Sequence, residues 1–453
     1  MSVSVNEDNY DVRCENLQQQ FQKYVDNVEH VAIKKDVSNL FRHRNEQKSK
    51  FDMRSFNRVL AIDCEAKIAE VEGLITYEDL VRATLHYQLL PAVVPELKTI
   101  TVGGALTGIG IESSSFRYGL VHETISEFDV LLANGQIVTC RANNEYRDLF
   151  FAFPNSYGTL GYALRIVLKL IPAKSFVELT HQHFNQPQAC FEKLQQICIE
   201  NYHTDDINYI EAVAFNRRDL VISTGHFVDS APYLHNYKGN RIYYHSIQNR
   251  QQDFLTTADY IWRWDTDWFW CSKIFGVQNP LVRLLAPKRY LNSKTYRRIM
   301  HQANHNPIFK WFINRVTQPT ESVIQDVAIP AENAYDFFKF FIESIPLRPF
   351  WMCPTRAYTD ERYSLFDLDP TKLYINFGFW GTVQSEHEVG YFNRLIEAKV
   401  TELKGIKSLY SSVYYSEAEF WQIFDEKTYM DLKQKYDPQH KFLDLYSKVS
   451  LNK

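Results

Sequence analysis

The chain has 453 residues, 45% of them hydrophobic and 23% charged, with a net charge of −4. That length allows two to three domains, the balance is that of an ordinary globular protein, and the charge lacks the basic footprint that nucleic-acid binding requires. Aromatic residues reach 15%, which suits deep apolar pockets and densely packed cores alike. Seven cysteines stand singly, none in a C-x-x-C pair, so structural zinc is not expected and reduced thiols in a cytoplasm are. The first twenty residues carry no signal-peptide core. The nearest candidate for a spanning helix, 337–353, is broken by Lys339, Glu343 and Arg348. The expected location is cytoplasmic, with contact at a membrane surface left open.

In chain order, residues 14–30 space Leu17, Phe21, Tyr24, Val25 and Val28 at helical intervals and predict a helix. Strand-like runs follow at 31–33, 59–63 and 68–73, the last alternating as a half-buried strand does. Residues 76–86 read as a helix with Thr76 as N-cap and Asp79 three residues on. Next comes 99–115, four glycines, three serines and three threonines among small apolar residues. Two apolar runs around Asn134-Gly135 predict a hairpin. A second small-residue loop, 155–161, leads into a strand at 163–171 closed by Pro172. Residues 188–203 form an amphipathic helix, 212–215 opens a hairpin-like region reaching 228, and 254–315 is aromatic and basic. Residues 374–381 make a buried strand, and the C-terminus is helical from Glu417 to about Pro438.

The 99–115 stretch has too little side-chain volume to fill a core. Its glycines let backbone N–H groups approach an anion such as a diphosphate. Gly108-Ile109-Gly110-Ile111-Glu112-Ser113 imitates a Rossmann fingerprint, but serine replaces the third glycine, no strand leads into it, and no helix is expected after Ser115. A P-loop sequence is absent. A ligand-free glycine turn is the plainer alternative, weakened by the second such loop at 155–161.

The order Thr-Val-Gly-Gly, Gly-x-Gly-Ile-Glu-Ser-Ser-Ser, Tyr118-Gly119-Leu120, the Asn-Gly hairpin, Asp148-Leu149-Phe150 and Gly-Thr-Leu-Gly resembles the FAD-binding domain of the vanillyl-alcohol oxidase family. Further segments at 37–42, 94–97, 262–271, 351–354, 374–381 and 419–421 are similar to the delta24-sterol reductase (Diminuto) branch and its soluble bacterial relatives. The resemblance implies an α+β fold: a PCMH-type FAD-binding domain in two subdomains, with an inserted α+β substrate domain whose antiparallel sheet is flanked by helices. The divisions implied are 1–174 for FAD binding, 175–415 for the substrate or cap domain, and 416–453 returning to the first.

The resemblance also places the FAD diphosphate along Ser38-Asn39 and the 101–115 segment. Thr101, Val102, Gly103, Gly104, Gly108, Gly110, Ile111, Glu112, Ser113, Ser114 and Gly119 are then cofactor-binding residues. Glu72 and Gly73 lie close by, and the adenine end sits near Gly158, Thr159 and Gly161. The first loop departs from the family in lacking its glycine run, and no N-terminal membrane helix like that of the eukaryotic sterol reductases is expected. Covalent flavin attachment in the superfamily uses a histidine in the first loop or a cysteine near the second. His43 has no Gly-Gly-His context and no cysteine occurs between 65 and 139, so non-covalent FAD is expected, with His43 and His122 as surface or packing residues.

In that branch reduced flavin gives hydride to an unactivated alkene, which needs a positioned acid, aromatic faces and exclusion of water. Residues 262–270 offer four tryptophans with Asp265 and Asp267 as possible donors, unless Arg263 pairs with one of them. Packing of the substrate domain is the blander reading of the same residues. Tyr374 and Asn376 share one face of their strand by period two, with Gly378 permitting close approach. Asp265, Arg263, Tyr374 and Asn376 are therefore the catalytic candidates. The basic, aromatic run 281–298 suits either anionic lipid or a solvated face. The expected function is FAD-dependent saturation of a C=C bond in a lipid, a sterol side chain or a methylene-branched fatty acyl chain, with NADPH as donor. The alternative is an FAD oxidase or dehydrogenase of an alcohol or sugar.

Overall fold

A computed structural model describes residues 2–4, 9–38, 41–42, 49–239, 241–305 and 320–450; the expectations for Asn39 and His43 lie outside the described residues. Two antiparallel sheets organise the chain, as the α+β reading expects. The first runs Ser2–Ser4, Val59–Asp63, Ile68–Glu72, Tyr162–Pro172, Ile125–Leu131, Ile137–Arg141, and Leu89–Pro91 also pairs with Tyr162–Pro172. Alternation sets its faces: Ala69 and Val71 are buried while Ile68 and Glu70 are half-buried. The 134–135 hairpin closes with Leu132 N–H to the Gln136 carbonyl at 2.8 Å, and Gly135 sits at φ +82°, where a side chain would be strained. The first helix, Tyr10–Val25, starts earlier than its apolar spacing suggests because the Asn9 side chain caps the Asp11 amide, and it stops at Val25, short of 30.

The second sheet runs Gln252–Thr256, Phe176–Phe184, Asp219–Val228, Tyr209–Asn216, Phe350–Arg356, Leu373–Gln384, Thr320–Pro330, Ile406–Lys407. Its two faces have different neighbours. Ile375, Phe377 and Phe379 pack with Val323 and Val327 under the helices Pro187–Asn201, Ala331–Ser344 and Tyr391–Glu402. Period two sends Tyr374, Asn376, Gly378 and Trp380 the other way. On that face Tyr374, Trp351 and Cys353 join the core that also holds Val71 and Ile166 of the first sheet.

Two expectations about the glycine-rich stretch are corrected. Val102–Gly108 is a helix and Ser115–Tyr118 a short one. Tertiary contact overrides poor glycine propensity: the Thr101 side chain caps Gly104 N–H at 3.2 Å, and Gly103 packs so tightly that an added Cβ would lie 2.7 Å from the Gly73 carbonyl oxygen. The C-terminal helix divides into Glu417–Ile423 and Glu426–Tyr436, and Leu445–Val449 follows Pro438. This segment folds back onto the first part of the chain, where Tyr436 donates to Asp148 at 2.8 Å. Among the described residues no helix is long and apolar enough to cross a membrane.

Candidate functional site

The side chains of the glycine-rich segment are spent on holding it. Ser114 donates to the Ala92 carbonyl at 2.8 Å, Ser115 Oγ accepts from Glu112 N–H at 3.1 Å, and Ser113 Oγ lies 2.9 Å from the Tyr260 hydroxyl. The first-turn amides of Val102, Gly103 and Gly104 are already bonded, to Ile75, Gly73 and Thr101. The segment's open donors come later. The amides of Gly110, Ile111 and Ser113 are buried and meet no acceptor among the described residues. An anionic or carbonyl-bearing ligand fits such a row, because buried N–H groups are almost always paired.

Other predicted cofactor residues fall into supporting places. Glu72 is fully buried, paired with Arg13 and accepting from Arg58 N–H at 2.9 Å. It anchors the first helix. Gly73 lies against Tyr162–Pro172, where a Cβ would meet the Ala163 carbonyl oxygen at 2.2 Å. Gly110 is closed in by Val121, Pro95 and Ala105, and Gly119, at φ +69°, by Glu123 and Tyr358. The carbonyls of Gly158 and Thr159 accept from Lys448 and Lys433 of the returning C-terminus, at 3.3 and 3.2 Å, and Gly161 abuts Val130. The two small-residue loops do meet: Tyr157 donates its hydroxyl to the Gly108 carbonyl at 2.8 Å and its amide to Thr107. Ser38 is half-buried beyond the short strand Ile33–Lys34.

Against this segment the second sheet presses two buried polar clusters. In the first, Arg263 pairs with Glu112 at 3.0 Å and Glu211 at 2.9 Å, and not with Asp265 or Asp267, the pairing weighed against their acting as acids. Glu211 also accepts from the indoles of Trp264 and Trp351 and from Tyr243, at 2.9–3.0 Å. Burial alone would raise its carboxyl, but Arg263 and the indole donors hold it below the ordinary value. Burial, then the neighbouring Glu112 charge, pushes Glu96 well above the ordinary carboxylate range. Glu96 Oε1 and Glu112 Oε2 are both buried without a hydrogen-bond partner. Burial raises the Asp265 carboxyl, while its Oδ1 takes both Ser293 Oγ and Lys98 N–H, at 2.5 and 3.0 Å, which ties it to neighbouring segments. Asp267 is held bidentately by Arg283, at 2.6 and 2.9 Å. The four tryptophans pack into protein, for instance Trp264 on Phe269 with centroids 5.0 Å apart.

The second cluster gathers around Asp326, a residue the sequence offered no reason to choose. Asn376 Nδ2 donates to it at 2.8 Å, and the Tyr410 hydroxyl also bonds it. Trp380 Nε1 in turn donates to the Tyr410 oxygen at 2.8 Å. Desolvation by the surrounding protein pushes the Asp326 carboxyl up to about 6 against those two hydrogen bonds. Some of its surface remains accessible, as for Tyr410, Trp380, Thr107 and Gly108, which is the pattern of a cleft wall. Among the described residues Asp326 makes no ion pair. Phe41 closes the ring: its amide donates to Tyr410 at 2.9 Å, and it stacks on Trp268 at 5.9 Å. Arg42 lies 4.6 Å over the Tyr157 ring and donates to the Leu409 carbonyl at 2.7 Å. Asn376 therefore stands in the site, with its Oδ1 buried and unpartnered. Tyr374 stands at its margin, its hydroxyl accepting from Asp369 N–H at 3.0 Å.

The partnership of Asp326 spans 50 residues to Asn376, so no local spacing announces it. The one signal was the period-two face of the 374–381 strand, whose antiparallel neighbour carries Asp326 opposite Gly378. His122 proves a packing residue: burial pushes its ring down to about 3, and it meets Tyr363 edge-on at 4.4 Å.

Comparison with known proteins agrees with this geometry. A family model described as an FAD binding domain matches residues 27–141, the part that holds the buried free amides. Delta(24)-sterol reductase of Homo sapiens is 27% identical over 417 residues, covering 86% of this chain and 76% of that protein. The Pisum sativum Delta(24)-sterol reductase is 26% identical over 443 residues, covering 88% and 75%. Cytokinin dehydrogenase 7 of Oryza sativa subsp. japonica is 32% identical over 154 residues, 34% of this chain and 29% of that protein. The unpartnered amides of Gly110, Ile111 and Ser113 suit such a cofactor. The chain is an FAD-dependent oxidoreductase similar to the delta24-sterol reductases.

Proposed function

We propose that this oxidoreductase saturates a carbon–carbon double bond in a sterol side chain, taking electrons from NADPH and holding FAD non-covalently. Similarity to Delta(24)-sterol reductases over most of the chain supports the substrate class. The carrying observation is Asp326, an enclosed carboxyl with a value of about 6 and no paired cation, on the sheet face turned toward the glycine-rich segment. In this reading residues 1–174 and the returning 416–453 hold the cofactor, and 175–415 cap it.

When bound, FAD supplies a hydride donor for the double bond. The protein must supply the rest. Amides at Gly110, Ile111 and Ser113 bind and orient the cofactor. Asp326, raised to about 6, holds a proton at mildly acidic pH and gives it to one alkene carbon, which makes the other carbon electron-poor. Asn376 Nδ2 and the Tyr410 hydroxyl then hold the carboxylate left behind, and Trp380 keeps that hydroxyl aimed. Phe41, Trp268 and Trp380 wall the cleft with aromatic faces, which exclude water and favour positive charge.

The test is anaerobic. Purified yellow protein should be bleached by NADPH and recover its colour when a sterol with a side-chain double bond is added, yielding a product two hydrogens heavier. Recovery with a methylene-branched acyl lipid alone would replace the sterol. Bleaching by an alcohol or sugar with no response to NADPH would overturn the reading.

A further inference from the structure

The helix Pro280–Leu285 is built inside out. Its charged residue, Arg283, is 2% exposed, while Leu281 is 73%, Val282 45%, Leu284 63% and Leu285 83% exposed. Arg283 is fastened inward by the bidentate pair with Asp267 and by the carbonyl of Gly239 at 2.6 Å. Asn279 caps the start, accepting from Leu281 N–H at 2.9 Å. The four apolar side chains are thus presented on a fixed support. Ile274 and Tyr290 are exposed beside them, at 57% and 47%. Water is a poor neighbour for so many adjacent apolar groups, and such patches mark contact surfaces.

The segment that carries the patch is basic. Between Asp267 and Glu321 the sequence contains no acidic residue and nine Lys and Arg, in a chain of net charge −4. Lys273, Lys288, Arg289 and Arg298 are exposed. Exposed leucines on a segment with exposed Lys and Arg match the headgroup–acyl boundary of an anionic bilayer. A protein groove would call for a continuous flat face, which a helix of six residues does not offer.

We propose that the Ile274–Tyr290 region docks this protein on anionic phospholipid, its leucines entering the acyl boundary and its Lys and Arg facing the headgroups. Arg283 joins this region to Asp267, in the loop whose Trp268 stacks on Phe41 at the cleft. Docking thereby places the candidate site beside the membrane. It does not depend on which alkene is reduced.

Flotation with phosphatidylcholine–phosphatidylserine vesicles tests this, with the FAD-loaded full chain. The wild type should float with these vesicles and far less with phosphatidylcholine alone. Leu281→Ser/Leu285→Ser should weaken binding at least about tenfold, with flavin spectrum and melting temperature unchanged. Lys288→Glu/Arg289→Glu should abolish the preference for phosphatidylserine. A wild type that stays unbound, or a serine variant that floats equally well, would overturn the proposal. So would a vesicle-free dimer that the serine variant converts to monomer, because the patch would then belong to a second copy.

Discussion

The Arg263 and Asp326 clusters lie on the same face of the same sheet, yet their charges are arranged in opposite ways. Around Arg263 the charges are matched: a guanidinium lies between Glu112 and Glu211, and two indoles donate to Glu211. Around Asp326 the partners are neutral, an amide and a phenol. A carboxylate pair bridged by a buried guanidinium holds its charge and acts as a lock between the glycine-rich segment and the sheet. A carboxyl with neutral partners keeps its proton at a useful pH and can surrender it.

The largest expected effect is on the lock. Arg263→Met would leave Glu112 and Glu211 buried without a cation, costing about 3–5 kcal/mol. A melting curve of the FAD-loaded protein should show a steep fall or no folded protein. An unchanged curve would remove the distinction between the clusters. Next, Asp326→Asn should lower turnover of the alkene by about 10²–10⁴-fold while leaving the fold intact, as catalytic acids do. Steady-state rates together with circular dichroism check both parts.

A third comparison uses Glu123, which accepts from Leu120 and Tyr358 amides and is pushed by burial up to about 7. Its folded value lies above the ordinary one, so the stability it contributes is complete below about pH 4.5 and is lost as pH rises to about 7. Glu123→Gln should flatten that decline, worth on the order of 1–3 kcal/mol, in urea titrations at several pH values. The smallest effect concerns Asn376. Removing its hydrogen bond in Asn376→Leu should raise the Asp326 value further, moving the alkaline fall in turnover to higher pH by roughly one unit. A profile that does not move would separate Asn376 from the acid.

Local patterns in the sequence reached the sheets well. The alternation at 68–73, the Asn-Gly turn and the face of the 374–381 strand all appear where they were read. The helix Val102–Gly108 was hidden because its stability comes from Gly73 and Ile75, in another element, and not from its own residues. The site divides along the same line. Asn376 was visible through period two, whereas Asp326, Tyr410 and Glu211 needed cross-strand and inter-segment contacts. Asp265 reads as an acid in an aromatic loop, but only the fold reveals Ser293 and Lys98 both bonded to its Oδ1.

The central claim is that Asp326 delivers the proton in reduction of a sterol double bond, and its most direct test is single-turnover absorbance in the absence of oxygen. Wild type and Asp326→Asn should be bleached by NADPH at similar rates. On mixing with the sterol alkene, wild type should recover its yellow colour quickly below about pH 6 and more slowly above it, while the variant stays bleached. Equal recovery in both proteins, independent of pH, would contradict the account.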